Sequence, residues 1–142
     1  MGFLDKKEEE RLVSAIGTAE SLTSGEIRIH IEKDCKVDSY ERALEVFGTL
    51  KMHETELRNG VLFYLAHEDH KFAVVGDEGI HAKVGDDFWK AIKEQMQADF
   101  KAGDFVKGLE TAVVAAGEAL QHHFPHQGDA DVDELSNEIS TS

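Results

Sequence analysis

Polar and apolar positions along the chain repeat with two different periods, and the changes of period mark the elements. Leu12, Ile16, Ala19 and Leu22 recur at helical spacing with charge on the opposite face, which predicts a first helix over about 5–23, closed by Ser24-Gly25. Residues 26–32 then alternate strictly. Ile27, Ile29 and Ile31 share one face, and Glu26, Arg28, His30 and Glu32 share the other, which predicts a lateral strand with one partly wet face. Asp38-Ser39-Tyr40-Glu41 resembles a capping box. Behind it Tyr40, Ala43, Leu44, Phe47 and Leu50 fall at helical spacing, predicting a second helix to about residue 51 with these side chains inward.

Val61-Leu62-Phe63-Tyr64-Leu65-Ala66 is continuously apolar, as a central strand covered on both faces requires. Four polar residues, His67 to His70, separate it from Lys71-Phe72-Ala73-Val74-Val75-Gly76. That gap suits a hairpin, so the third strand runs antiparallel to the second. The irregular stretch that follows has Ile80 to Val84 as a short fourth strand. Asp86 or Asp87 caps a third helix with Trp89, Ile92, Met96 and Phe100 inward. Gly103-Asp104 ends that helix and opens a fourth carrying Phe105, Leu109, Val113, Ala116 and Leu120. The expected architecture is an α/β protein, a three-layer α/β/α sandwich on a small mixed sheet of three to four strands. One domain spans 1–125, and 126–142 form an acidic, disordered tail without apolar periodicity.

Composition narrows the partners. The chain of 142 residues has 29 acidic against 15 basic side chains, a formal charge of −14 that repels phosphate backbones and anionic lipid. Nucleic acid and membrane are disfavoured, while divalent cations are the favoured partners and another protein comes second. The single cysteine, Cys35, allows no internal disulfide, and the charged start of the chain offers no apolar core for a signal peptide. A soluble cytoplasmic protein is the expectation.

A right-handed crossover between the first two strands makes them parallel, so the start of strand two meets the end of strand three at one edge. The expected metal ligands gather there: Glu54 and Asn59 before strand two, Asp77 and Glu78 after strand three, and Asp86 and Asp87 beyond them. Clustered carboxylates with an amide oxygen suit calcium, or magnesium, better than zinc, and a bound cation removes their mutual repulsion. The plainer reading of the same residues is an N-cap at Asp86 or Asp87 and a turn at Asp77-Glu78-Gly79. His122, His123 and His126 read as favourable charges at a helix C-terminus, and Cys35 as a buried thiol.

Arg58-Asn59-Gly60-Val61-Leu62-Phe63-Tyr64-Leu65-Ala66, Phe72-Ala73-Val74-Val75-Gly76-Asp77-Glu78-Gly79-Ile80, Gly103-Asp104-Phe105 and Gly108-Leu109 together resemble the TPM domain over about residues 14–120. The resemblance implies an α/β/α sandwich that binds divalent cations or acts as an acid phosphatase. It places the family's acidic residue before the third helix on Asp86 and its asparagine before the central strand on Asn59. Where many relatives carry a Gly-Tyr-Gly-Leu-Glu-Gly stretch, this chain has the shorter, more acidic Gly76-Asp77-Glu78-Gly79-Ile80. Two functions follow: a metal-binding regulatory or interaction module whose ion orders two loops, or a metal-dependent acid phosphatase with Arg58 clamping the phosphate.

Overall fold

Helix α1, Lys6–Glu20, opens on a reciprocal capping box: Asp5 Oδ1 accepts from the Glu8 amide at 2.8 Å and Glu8 Oε1 from the Asp5 amide at 3.0 Å. The computed structural model describes residues 3–125 and 139–141. The helix ends three residues before the expected 23, and Leu22, expected inward, is 49% exposed. Glu20, the last helical residue, is buried, and its Oε2 accepts from the Ile27 amide at 2.7 Å.

Strand β1, Glu26–Glu32, pairs in parallel with β2, Gly60–Ala66, and β2 pairs antiparallel with β3, Lys71–Gly76. Ile27 lies opposite Val61, and Val61 opposite Gly76. A two-residue strand β4, Ser140–Thr141, lies parallel to β1 at His30 and Ile31, giving the order β3-β2-β1-β4. Strand β1 is therefore internal, not lateral. On its polar face Glu26, His30 and Glu32 are buried and Arg28 is half-buried. Of the segment 126–142 expected to be disordered, 126–138 and 142 lie outside the described residues, and 140–141 pair with the sheet as β4.

Helix α2, Ser39–Thr49, is capped by Asp38, whose Oδ2 accepts from the amides of Tyr40 and Glu41. Its inward residues are Ala43, Val46 and Phe47, whereas Tyr40 and Leu44 are 49% and 45% exposed. The helix is turned relative to expectation so that Val46 packs with Ala43 and Phe47 in the core against the sheet, and Arg42, on the same side, reaches Glu32.

Residues 80–84 form no strand. Asp77 caps helix α3, Glu78–Lys101, so the helix starts about eight residues before the expected Asp86 or Asp87 cap. Gly85, at φ 78° and ψ 177°, interrupts it, a conformation that an L side chain does not tolerate. Gly103, at φ 83°, closes α3, and Asp104 caps α4, Phe105–His123, as expected.

The layers follow from strand parity. Ile27, Ile29, Ile31, Val61, Phe63, Leu65 and Val74 face α1, α3 and α4 through Leu12, Ile16, Ile92, Met96, Leu109 and Val113. Leu62, Tyr64, Ala66, Ala73 and Val75 face α2 through Ala43, Val46 and Phe47. The result is an α/β/α sandwich, with burial of these two apolar faces as its main driving force.

Candidate functional site

Arg58, the residue before the buried Asn59, ties the loop ahead of β2 to the start of α3. Its Nε–H donates to Asp77 Oδ2 at 2.7 Å and its Nη2–H to Asp77 Oδ1 at 2.8 Å, a bidentate pair in which Asp77 is only 6% exposed. A further bond runs from Nη1 to Glu78 Oε1 at 3.3 Å. The main chain of the same residue, at φ 52°, completes the junction: its carbonyl accepts from the amides of Gly79 at 2.8 Å and Ile80 at 3.3 Å. Asp77 Oδ1 accepts from the Glu78 amide at 2.8 Å. The first amides of α3 are thus answered, and its N-terminus is closed to an anion. Gly79 is required there, because a Cβ would sit 2.1 Å from the Leu57 carbonyl oxygen. Asp77 is a structural cap held by Arg58, and Arg58 is raised further into its charged form by that carboxylate.

Beyond this junction lies a cavity of about 690 Å³ between α2, β3 and α3. Glu78, Asp86 and Asp87 line it together with His81, Lys90 and Lys93, and Tyr40 stands on the α2 side. Gly76 and Trp89 define its inner end: a Cβ on Gly76 would lie 2.2 Å from Trp89 Cζ2, so the indole fits only against glycine. The Trp89 indole N–H donates to His81 Nδ1 at 3.0 Å. Indole nitrogen only donates, so Nδ1 is the acceptor and neutral His81 carries its proton on Nε2, 3.5 Å from Asp86 Oδ1. That tautomer leaves His81 no lone pair for a metal, and the donors left are hard oxygens.

Of the six expected ligands, three share this cavity. Glu78 and Asp86 project strongly into solvent, with side chains 74% and 95% exposed, and Asp87 is also exposed. Asp77 is held by Arg58. Asn59 is buried toward the start of β1, where its Nδ2–H donates to Ser24 Oγ at 3.3 Å and its carbonyl accepts from the Glu26 amide at 3.4 Å. Glu54 sits in a short 3₁₀ turn, Met52–Glu54, beside His53 at 3.9 Å. Among the described residues no three His, Cys, Asp or Glu side chains stand close enough to share an ion as they are placed. Lys90, Lys93, His81 and Tyr40 were not among the expected site residues. The signal available for His81 was its i,i+3 spacing from Glu78, legible only once Asp77 is read as the helix cap.

A second polar cluster lies at the opposite end of β1, on the α2 side. Glu32, 8% exposed, accepts from Arg42 Nε and Nη2, each at 2.8 Å, from the Tyr64 hydroxyl, and from His30 Nε2 at 3.2 Å. With Nε2 donating, His30 Nδ1 accepts from the Ser140 hydroxyl at 2.9 Å, which joins β4 to the cluster. Burial lowers the His30 pKa, against the opposing pull of Glu32, and burial pushes the Tyr64 phenol up. Cys35 is a buried free thiol beside this cluster, its Sγ 3.2 Å from the Val37 carbonyl.

The model of the TPM domain matches residues 1–119. The BA42 protein from the psychrophilic bacterium Bizionia argentinensis, solved by NMR, is 48% identical over 99% of this chain and 96% of that one, with a TM-score of 0.91. The N-terminal domain of the cg2496 protein from Corynebacterium glutamicum is 12% identical over 84% of this chain and 76% of its own, TM-score 0.68. An N-terminal domain from P. gingivalis is 18% identical over 89% and 84%, TM-score 0.69. The last two share the fold. No curated protein matches the sequence. No helix among the described residues is long and apolar enough to cross a membrane.

Proposed function

We propose, from the premise that the chain belongs to the TPM domain family, that it is a divalent-cation-binding regulatory module. The ion is calcium, with magnesium as second choice, held at the mouth of the cavity by Glu78, Asp86 and Asp87. The observation that carries this reading is that these three carboxylates line one cavity around the Gly85 break, while the nearby Asp77 is neutralised by Arg58. The donor set fits a hard cation with water completing its shell, and it does not fit a six-ligand cage that includes Asp77, Asn59 and Glu54. Because the three side chains are exposed, rotating them onto an ion costs little beyond side-chain entropy, and moderate affinity is the consequence. A bound cation would neutralise this acidic rim and stiffen the segment around Gly85 against the end of β3, changing the surface offered to another protein.

Calcium titration followed residue by residue by NMR tests the reading. Shifts should concentrate at residues 77–90, with a smaller response in the loop before β2 transmitted through Arg58. Uniformly unchanged spectra at millimolar calcium would refute it.

The alternative is a metal-dependent acid phosphatase. Lys90 and Lys93, in the same cavity as the carboxylates, are the observation in its favour. Arg58 cannot serve as the phosphate clamp while it is held bidentately by Asp77. We rank it second. Generic phosphate esters should turn over slowly or not at all, and robust metal-dependent turnover lost in Lys90→Ala and Lys93→Ala would reverse the ranking.

A further inference from the structure

β3 ends the sheet among the described residues, and its hydrogen-bonding parity defines what its outer side offers. The Asp77 amide donates to the Gly60 carbonyl at 2.9 Å. With the register Gly76 opposite Val61, the hydrogen-bonded pairs on β2 are Val75 with Leu62, Ala73 with Tyr64 and Lys71 with Ala66. Phe72, Val74 and Gly76 therefore turn their N–H and C=O groups away from the sheet. Val74 and Gly76 are the two β3 residues that line the cavity. Phe72 and Gly76 are half-exposed and Val74 is nearly covered; an unpaired edge of this kind is a template for an added strand.

The walls of the cavity give the edge a direction. Trp89 lies against Gly76, and Phe100 packs edge-on against Phe72 at 5.1 Å, so α3 passes along β3 from its Gly76 end to its Phe72 end. Glu78, Asp86 and Asp87 consequently flank the Gly76 end, and Lys90 and Lys93 stand further along, toward Val74. Tyr40, half exposed on the opposite lip, offers an aromatic face. The groove is acidic at one end, basic further along and aromatic on one side.

We propose that the outer edge of β3 is a strand-addition site for an extended segment of another protein. That segment carries a basic side chain for the Gly76 end, an acidic side chain two to four residues away for Lys90 and Lys93, and an apolar side chain between Tyr40 and Trp89. Backbone pairing with Phe72, Val74 and Gly76 supplies affinity, and the charge order supplies direction. The site does not depend on a bound cation.

The probes are synthetic eight-residue peptides of alternating threonine and valine, with one lysine and one glutamate four apart in either order. Binding is followed by amide exchange and NMR in the presence of chelator, so that failure bears on the strand edge and not on the ion. One charge order should bind and protect the Val74 and Gly76 amides, and the same peptide N-methylated at alternate residues should lose both effects. Lys90→Glu with Lys93→Glu, two exposed positions, should weaken that peptide about tenfold and remove the preference between the two charge orders. Absence of protection with either peptide, or equal binding of the N-methylated one, overturns the proposal. Protection of the same amides that rises with protein concentration alone would assign the edge to a second copy of the chain and also overturn it.

Discussion

Asp77 and Asp86 are nine residues apart, both acidic, both at the start of a helical run, and their circumstances are opposite. Asp77 is buried, bidentate with Arg58, and caps α3, while Asp86 stands in solvent with His81 at 3.5 Å. Glu32 repeats the first case at the far end of β1, receiving Arg42, Tyr64 and His30. A carboxylate already neutralised in the native state is part of the fold; one left open to solvent is free to take a ligand. Acidic density in a sequence does not distinguish the two.

Mutation should separate them, most strongly at the committed acids. Arg42→Met removes the bidentate partner of the buried Glu32 carboxylate and should destabilise the protein by about 3 kcal/mol, read from urea unfolding. A loss below about 1 kcal/mol would show that Glu32 is not held as described. Next comes the open rim. Asp86→Asn with Asp87→Asn should leave stability without metal nearly unchanged and abolish the stabilisation by calcium, about 2.7 kcal/mol at a hundredfold excess over Kd. Asp77→Asn should do the reverse, lowering stability while calcium still raises the melting temperature.

A pH titration probes the committed cluster at lower amplitude. Burial lowers the folded pKa of His30 below its ordinary 6.5, so near that pH the unfolded chain takes up a proton that the folded one does not. Stability contributed by neutral His30 is present above about pH 6.5 and is lost as the pH falls toward the depressed folded value. His30→Gln should flatten that part of the stability curve; an unaltered slope would place the proton uptake elsewhere. The smallest effect belongs to Glu78→Gln, since Glu78 is a peripheral, exposed partner of Arg58 at 3.3 Å. Thermal unfolding without metal should barely move, and a clear drop would mean that Glu78 belongs with the committed acids.

The periods of the sequence were sufficient for the three main strands, for the parallel and antiparallel pairings among them, and for the helix that Asp104 caps. They were also sufficient to place Glu78, Asp86 and Asp87 near one end of the sheet, because topology brings a strand end and the next helix start together whatever the side chains do. Periodicity reports which residues share a face, however, and not what covers that face. Tyr40 and Leu44 fit the helical spacing as well as Val46 does, and only packing against the sheet shows which went inward. Glu26, Arg28, His30 and Glu32 read as a partly wet face, yet Glu26, His30 and Glu32 are buried, with Arg42 of α2 bound to Glu32 and Ser140 of β4 bound to His30. Which acids remain open was settled by ion pairs between segments 10 and 19 residues apart, Arg42 with Glu32 and Arg58 with Asp77. Those pairings depend on distances across the folded molecule, where a partner within 3 Å neutralises a charge that the linear sequence shows only as one more carboxylate.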